Sequence, residues 1–125
     1  MIVGIGTDIV KISRINEAYN RHGDRFAEKI LRPSELNVFR EKKYSIGYLA
    51  KRFAAKEAAS KALGTGIGLV SWQNFEIQND DSGAPVLLLL DAAKKQMEAI
   101  GANQAFISLS DEIDHAIAFV VISKN

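Results

Sequence analysis

The segment from Ser45 to Leu63 constrains the fold most, because its residues predict one long helix. It is rich in alanine, the residue with the highest helix propensity, and Gly64 follows where a helix C-terminus favours glycine. At the helical period, one stripe of this helix is apolar and comprises Ile46, Ala50, Phe53 and Ala54. Such a stripe must be buried against another element, so the packing partner of this helix decides the architecture.

The remaining patterns place helices mainly in the first half of the chain and strands mainly in the second. We predict helices at 11–31, interrupted at Gly23, at 33–43 and at 91–100, the last with Asp91 as its N-cap. Strands are predicted at 2–10, 69–71, 74–78, 86–90, 104–110 and 115–123. The predicted fold class is α+β, with an antiparallel sheet packed against one long helix and several short helices.

The composition excludes several classes of protein. A chain of 125 residues with 47% hydrophobic and 25% charged residues predicts a single domain, 1–125. The absence of cysteine excludes disulfides, thiolate metal sites and cysteine nucleophiles. We find no signal peptide and no apolar run near the roughly 20 residues that span a bilayer. We therefore expect a soluble, cytoplasmic protein that does not enter a membrane.

Two charged residues, Glu57 and Lys61, fall within the apolar stripe of the long helix. They lie four residues apart with glutamate first, which favours an ion pair on a helix surface. A carboxylate facing the interior is instead costly unless it is paired or bound to a metal. The spacing alone leaves both interpretations open.

The stretch GIGTDIV contains a second carboxylate in an unusual setting. In a strand, residues 4, 6, 8 and 10 share one face, and the apolar residues 3, 5, 7 and 9 share the other, which we expect to face the core. Gly4 and Gly6 precede Asp8 and indicate close approach of a ligand or another backbone, although a bulged strand with a capping aspartate would also fit. If Asp8 and Glu57 meet in space, two carboxylates with open coordination positions suit Mg²⁺.

The glycine-rich segment GTGIG, from Gly64 to Gly68, directly follows the long helix. It does not match the dinucleotide fingerprint, which follows a strand and opens a helix, and it is not a P-loop, because no lysine-serine or lysine-threonine pair follows it. It is either a helix C-cap followed by a turn or a nest of backbone N–H groups that binds phosphate.

The segment from Lys11 to Arg32 carries an excess of basic residues, six against three acidic ones. This pattern is typical of a solvated helical face or of a surface for an acidic partner. The net charge of only +1 predicts no nucleic-acid partner.

Two segments, GIGTDIVKISRI and RFAAKEAASKALGTGIG, together resemble the signature motifs of the holo-[acyl-carrier-protein] synthases. These are the short, stand-alone 4′-phosphopantetheinyl transferases. The resemblance extends through RFAEKILRPSEL and AFISLSDEIDHAIAFVVIS. It implies transfer of the phosphopantetheine arm of coenzyme A to a serine of apo acyl carrier protein, with release of adenosine 3′,5′-bisphosphate, in support of fatty acid biosynthesis.

The same resemblance implies roles for individual residues. Asp8 and Glu57 would hold Mg²⁺, and Lys61 would lie beside the diphosphate. The residues implied to bind the phosphates of coenzyme A are Arg52, Lys61, Gly64, Thr65 and Gly66. Those implied to face the acidic helix of the carrier protein are Arg14, Arg21 and Arg25. The resemblance further implies a homotrimer with active sites between subunits.

Some questions remain open from the sequence. The base that activates the carrier serine could be Glu57, a metal-bound water, or Glu35 acting through a water. Many relatives have histidine where Asp111 follows Ser108-Leu109-Ser110, so no role of that histidine is carried over. The alternative functions are a Mg²⁺-dependent nucleotide diphosphate hydrolase and a non-catalytic binding protein.

Overall fold

A long central helix organises the structure, a computed structural model that describes residues 1–125. The helices are α1 (Ile12–His22), α2 (Asp24–Ile30), α3 (Pro33–Glu41), α4 (Ile46–Ala62) and α5 (Asp91–Ala99). The strands are β1 (Ile2–Lys11), β2 (Phe75–Asn79), β3 (Pro85–Leu89), β4 (Gln104–Asp111) and β5 (His115–Ser123). A 3₁₀ turn at Trp72–Asn74 precedes β2. None of the helices combines the length and apolarity needed to cross a membrane.

The strands form two antiparallel sheets. One has the order β1-β5-β4, and the other is the β2-β3 hairpin. In the larger sheet, the central strand β5 pairs Ile117 with Ile9 of β1 and with Ser110 of β4. The predicted α+β class, with antiparallel strands packed against one long helix, is therefore confirmed. The division into two sheets was not indicated by the sequence pattern.

Helix α4 is buried on most of its circumference because its small side chains let neighbouring elements approach. The Ser45 hydroxyl accepts the N–H of Tyr48 at 3.2 Å and caps the N-terminus. Gly64, with a φ of 81°, follows the last turn. The alanines that form the inner faces of the helix are almost completely buried: Ala54, Ala55, Ala58, Ala59 and Ala62.

Strand β1 lies with its glycine face against α4, so the prediction that its apolar row faces the core is wrong. A Cβ atom at Gly4 would overlap the carbonyl oxygen of Ala62, and one at Gly6 would overlap that of Ala58. The glycines are thus required because a helix backbone occupies the space that side chains would need. Ile5 and Ile9, on the opposite face, are each 61% exposed.

Two local predictions are also wrong. Residues 69–71 form a turn rather than a strand, because Gly68 N donates to the carbonyl of Val70 and the segment pairs with no strand. At α5, the N-cap is Leu90, not Asp91, and no side chain caps the helix. Asp91 is instead its first residue, with a φ of 51°.

Candidate functional site

Asp8 and Glu57 line one cavity of about 360 Å³ between β1, α1, α2 and α4, which we call the carboxylate cavity. Asp8 reaches it from the glycine face of β1, and Glu57 reaches it from α4. The rest of the wall is mainly apolar, and Arg14 is its only basic residue. The fold thus brings together the two carboxylates that stand out in the sequence.

Lys61 pairs with Asp8 rather than with Glu57. Its ammonium nitrogen lies 3.0 Å from Asp8 Oδ1 and 3.2 Å from the Thr7 carbonyl oxygen. The Lys61 side chain is 51% exposed, whereas that of Asp8 is 16% exposed. The interpretation of Glu57 and Lys61 as a surface ion pair is therefore wrong, because β1 offers the lysine a partner that neutralises a half-buried carboxylate.

Glu57 accepts a hydrogen bond from the indole of Trp72, which lies in the 3₁₀ turn before β2. Trp72 Nε1 donates to Glu57 Oε1 at 3.1 Å. The indole also stacks on Phe53, with ring centroids 6.3 Å apart and an interplanar angle of 28°. No sequence signal indicated this contact, because it joins a helix to a distant turn.

The oxygens of the carboxylate cavity fit a hard divalent cation. Asp8 Oδ2 and Glu57 Oε2 accept no hydrogen bond from the chain. No group of three or more acidic or histidine side chains is arranged to enclose a metal ion. An ion held here would take its other ligands from water or substrate, as Mg²⁺ commonly does at phosphate-transfer sites.

Arg52 lies on the other side of α4. At 100° per residue, the nine residues from Arg52 to Lys61 correspond to a rotation of about 180°. The Arg52 guanidinium lies 4.6 Å from the ring centroid of Tyr48 and donates from Nη2 to Asn79 Oδ1 at 3.2 Å. Within one chain, the two side chains predicted to bind coenzyme A phosphates therefore do not share a cavity.

A cavity of about 400 Å³ beside Arg52, which we call the arginine cavity, is suited to an anion. Lys42 and Lys51 line it together with Arg52. Asp111, the residue that replaces the histidine of many relatives, also lines it, and its Oδ1 lies 3.5 Å from Lys51 Nζ. The three cations outnumber the single carboxylate, which favours a negatively charged ligand.

The turn at Gly64, Thr65 and Gly66 is a helix C-cap in this structure. The N–H of Gly64 donates to the carbonyl of Lys61, and those of Thr65 and Gly66 donate to the carbonyl of Ser60. Because these donors already have acceptors, this conformation does not support the hypothesis of a phosphate nest. A contribution of the turn to coenzyme A binding would have to come from its other atoms.

A buried ion pair between Lys56 and Glu35 was missed by sequence reasoning. Lys56 Nζ lies 2.6 Å from Glu35 Oε1 and 2.6 Å from the Ile30 carbonyl oxygen, and the lysine is completely buried. Burial lowers the pKa of Lys56, and the charge of Glu35 opposes this effect. Both oxygens of Glu35 are occupied, since the Ile77 N–H donates to Oε2. The hypothesis that Glu35 acts as a base through water is therefore not supported.

The three arginines that the resemblance assigned to a carrier protein are exposed on α1 and α2. Arg14 lines the carboxylate cavity. Arg25 lines an adjoining depression with Lys29 and Phe26, and Phe26 also contributes to the carboxylate cavity. Arg21 lies in the last turn of α1. A basic surface thus borders the two carboxylates.

The outer face of the β1-β5-β4 sheet is apolar and exposed. Its exposed large side chains are Ile5, Ile9, Phe106, Ile117 and Phe119. The register places Ile9 opposite Ile117 and sets Ile5 and Phe106 on either side of Val121, with Phe119 between these two rows on β5. A contiguous apolar face of this kind is typical of a protein–protein interface.

Comparison with known proteins connects this geometry to one family. The sequence pattern of the 4′-phosphopantetheinyl transferase superfamily matches residues 4–120. A holo-[acyl-carrier-protein] synthase from Vibrio atlanticus is 50% identical over 124 residues, which are 98% of this chain and 98% of that protein.

Solved structures show the same relationship. The crystal structure of holo-[acyl-carrier-protein] synthase from Neisseria meningitidis is similar with a TM-score of 0.92 and 47% identity, over 99% of this chain and 100% of that one. The enzyme from Helicobacter pylori, solved in complex with coenzyme A, has a TM-score of 0.83 and 37% identity. That match covers 95% of this chain and 99% of the other.

Proposed function

The chain belongs to the 4′-phosphopantetheinyl transferase superfamily, and from this premise we propose that it modifies acyl carrier protein. It transfers the phosphopantetheine arm of coenzyme A to a serine of the apo carrier and releases adenosine 3′,5′-bisphosphate. The observation that carries this proposal is the shared cavity of Asp8 and Glu57, with Lys61 bound to Asp8 and a basic surface beside it. The relatives named for this activity match almost the entire chain.

Asp8 and Glu57 would hold Mg²⁺, which when bound neutralises charge on the two phosphates between which the bond breaks. Lys61 is half-exposed and ends in a flexible point charge, so it can turn from Asp8 towards the departing phosphate and stabilise it. Of the side chains considered as the base, Glu57 keeps an oxygen free in the cavity and Glu35 does not. Catalysis consists mainly of positioning and charge stabilisation.

The substrates approach from two directions in this proposal. Arg14, Arg21 and Arg25 bind the acidic helix of the carrier protein and bring its serine to the carboxylate cavity. Arg52, with Lys42 and Lys51, binds phosphate at the nucleotide end of coenzyme A. The positive charge of both surfaces supports these assignments.

Two features support a homotrimer with active sites between subunits. The apolar outer face of the larger sheet needs a covering partner, and a second copy of the chain would supply one. Arg52 and Lys61 point to opposite sides of α4, so one coenzyme A molecule can contact both types of residue only where two copies meet. We further assign the single domain, 1–125, to fatty acid biosynthesis in the cytoplasm, which agrees with its lack of cysteine.

The proposal is tested by the intact mass of an apo acyl carrier protein after incubation with the protein, coenzyme A and Mg²⁺. We expect a gain of one phosphopantetheine that disappears with EDTA. Asp8→Asn and Glu57→Gln should each abolish the gain while the folded chain keeps its circular dichroism spectrum.

Other results would contradict the proposal in distinct ways. Cleavage of coenzyme A without modification of the carrier would favour the Mg²⁺-dependent nucleotide diphosphate hydrolase. Binding of carrier protein without any product would favour the non-catalytic binder. Full Mg²⁺-dependent rates in both variants would contradict the metal assignment.

A further inference from the structure

We propose that Trp72 is a positioning residue that orients the Glu57 carboxylate for its role as a metal ligand. The indole N–H holds one carboxylate oxygen and leaves the other free in the carboxylate cavity. This inference rests on the proposed function, because it assigns a partner to a side chain proposed to hold Mg²⁺.

The geometry distinguishes the two oxygens of Glu57. Trp72 Nε1 donates to Oε1 at 3.1 Å, and Oε2 accepts no hydrogen bond from the chain. A carboxylate at the end of a glutamate side chain rotates easily, since its terminal torsion has only a broad preference. One hydrogen bond from a fixed donor therefore selects the rotation that presents Oε2.

The chemistry of the donor also suits this role. An indole N–H can only donate a hydrogen bond, and it carries no charge. It therefore orients the carboxylate without cancelling the negative charge that attracts a cation. Asp8, in contrast, is paired with the Lys61 ammonium at 3.0 Å. Glu57 is thus the carboxylate of the two that has no lysine or arginine partner within the chain, whereas Asp8 has Lys61.

The indole itself is held in place by its surroundings. Its ring stacks on Phe53, which also lines the carboxylate cavity. The 3₁₀ turn that carries it is capped by Ser71, whose hydroxyl accepts the Gln73 N–H at 3.2 Å. The Gln73 amide then donates to the carbonyl oxygens of Glu28 and Leu31 at 2.8 and 3.0 Å, which fastens the turn to the end of α2. A donor supported in this way keeps its position when the carboxylate is free to rotate.

The decisive variant is Trp72→Phe, which keeps an aromatic ring beside Phe53 and removes the N–H donor together with part of the indole. We expect its affinity for Mn²⁺ to fall by about 10-fold or more, as is typical when an outer-shell partner of a metal ligand is lost. Free Mn²⁺ is counted by electron paramagnetic resonance in the absence of substrates. At saturating Mg²⁺, the kcat of the variant should return to within about 3-fold of the wild type, because the ligand itself is intact.

A second measurement uses the unchanged protein. Trp72 is the only tryptophan of the chain, so its fluorescence reports directly on this contact. Titration with Mg²⁺ should change the emission with a saturating curve, and Glu57→Gln should remove that change. This result remains decisive even if Trp72→Phe fails to fold.

The outcomes separate the positioning role from the proposed function. Equal Mn²⁺ affinities of the wild type and Trp72→Phe, or an emission that does not respond to Mg²⁺, would overturn the role of Trp72 while transfer to the carrier protein continued. A wild-type protein that never modifies the carrier would instead overturn the function.

Discussion

Lys56 and Glu57 are neighbours in sequence, yet the fold gives their charges opposite environments. Lys56 is completely buried against Glu35, whereas Glu57 borders a cavity. Residue type and pattern singled out Asp8, Glu57 and Lys61, but only the resemblance to a known family implied a joint role for the three, because their spacing left an ion pair and a metal site equally open. The Lys56–Glu35 pair was not predictable from the sequence. Lys56 is followed by Glu57, and adjacent opposite charges in a helix usually indicate a solvent-exposed face.

Removing the Lys56 charge should lower the free energy of unfolding more than removing a surface charge does. Lys56→Met removes the closer of the two cations beside buried Glu35 and leaves Arg52 Nε at 3.9 Å, and the loss of such a buried partner costs about 3–5 kcal/mol of unfolding free energy. The matched control is Lys51→Met on the same helix. Because the Lys51 side chain is partly exposed and only loosely paired with Asp111, this substitution should change the free energy of unfolding by less than about 1 kcal/mol.

Urea denaturation at neutral pH measures both variants. The double variant Lys56→Met with Glu35→Leu should recover only part of the loss, because it removes both members of the buried pair but also takes the carboxylate away from Arg52 and from the Ile77 N–H. Equal stabilities of Lys56→Met and the wild type would contradict the energetic importance of the pair.

The packing of β1 on α4 shows what a sequence pattern can and cannot specify about an element. Alternation predicted the strand and sorted its residues into two faces correctly. It did not reveal which face is buried. Hydrophobicity favoured burial of the isoleucine face, but the close approach of the α4 backbone requires that the glycine face be the buried one. Ile5 and Ile9 of that strand are therefore exposed in the single chain and are available to contact another protein surface.

Gly6→Ala should therefore destabilise the protein although alanine is a better strand residue than glycine. The added Cβ would overlap the Ala58 carbonyl oxygen, so β1 must shift away from α4, at a cost of about 1–3 kcal/mol or more. Gly47→Ala is the control, since its Cβ would lie 3.8 Å from Ser45 Oγ in ordinary contact. Thermal unfolding should show a lower Tm for the first variant only, and equal Tm values would contradict the proposed backbone contact.

The basic side chains of α1 and α2 should affect the KM for acyl carrier protein and not the KM for coenzyme A. Arg21→Glu combined with Arg25→Glu should raise the KM for acyl carrier protein at least about 10-fold, because like charges would meet across the interface. The KM for coenzyme A should stay within about 2-fold, since neither residue lines the arginine cavity. Arg40→Glu, exposed on α3, is the matched control.

A large increase in the KM for coenzyme A, with no change in the KM for acyl carrier protein, would instead place the nucleotide near α1. Arg14 is left unchanged in this test, because it also lines the carboxylate cavity and its reversal would alter the surroundings of Asp8 and Glu57 directly.

At the scale of the whole molecule, the apolar outer face of the β1-β5-β4 sheet is the surface on which the proposed assembly depends. The class of the fold follows from the helical and strand patterns, but the division into two sheets depends on pairings between residues distant in sequence. The opposite directions of Arg52 and Lys61 follow from the helical period alone, but which elements surround each side chain depends on the packing of α4. The family resemblance implied that Arg52 and Lys61 bind the same ligand, and their opposite directions on α4 are the reason for the proposed site between copies.

Phe119→Asp, in the middle of the exposed sheet face, should shift the protein to monomers and strongly reduce its specific activity. A buried charge without a partner is costly, so the variant copies cannot pack this face together. Val86→Asp, on the separate β2-β3 sheet and similarly exposed, is the control that should leave assembly unchanged. Analytical ultracentrifugation distinguishes the species, and an unchanged mass for Phe119→Asp would contradict an interface on this sheet.

The opposite orientations of Arg52 and Lys61 also have a genetic consequence. If each site contains Lys61 from one copy and Arg52 from its neighbour, Arg52→Ala and Lys61→Ala damage different halves of the same site. Cells that express both alleles, each inactive alone, should regain function, because random mixing in a ring leaves about one site in four with both halves intact. Two alleles that damage the same half, such as Glu57→Gln and Lys61→Ala, should fail to complement.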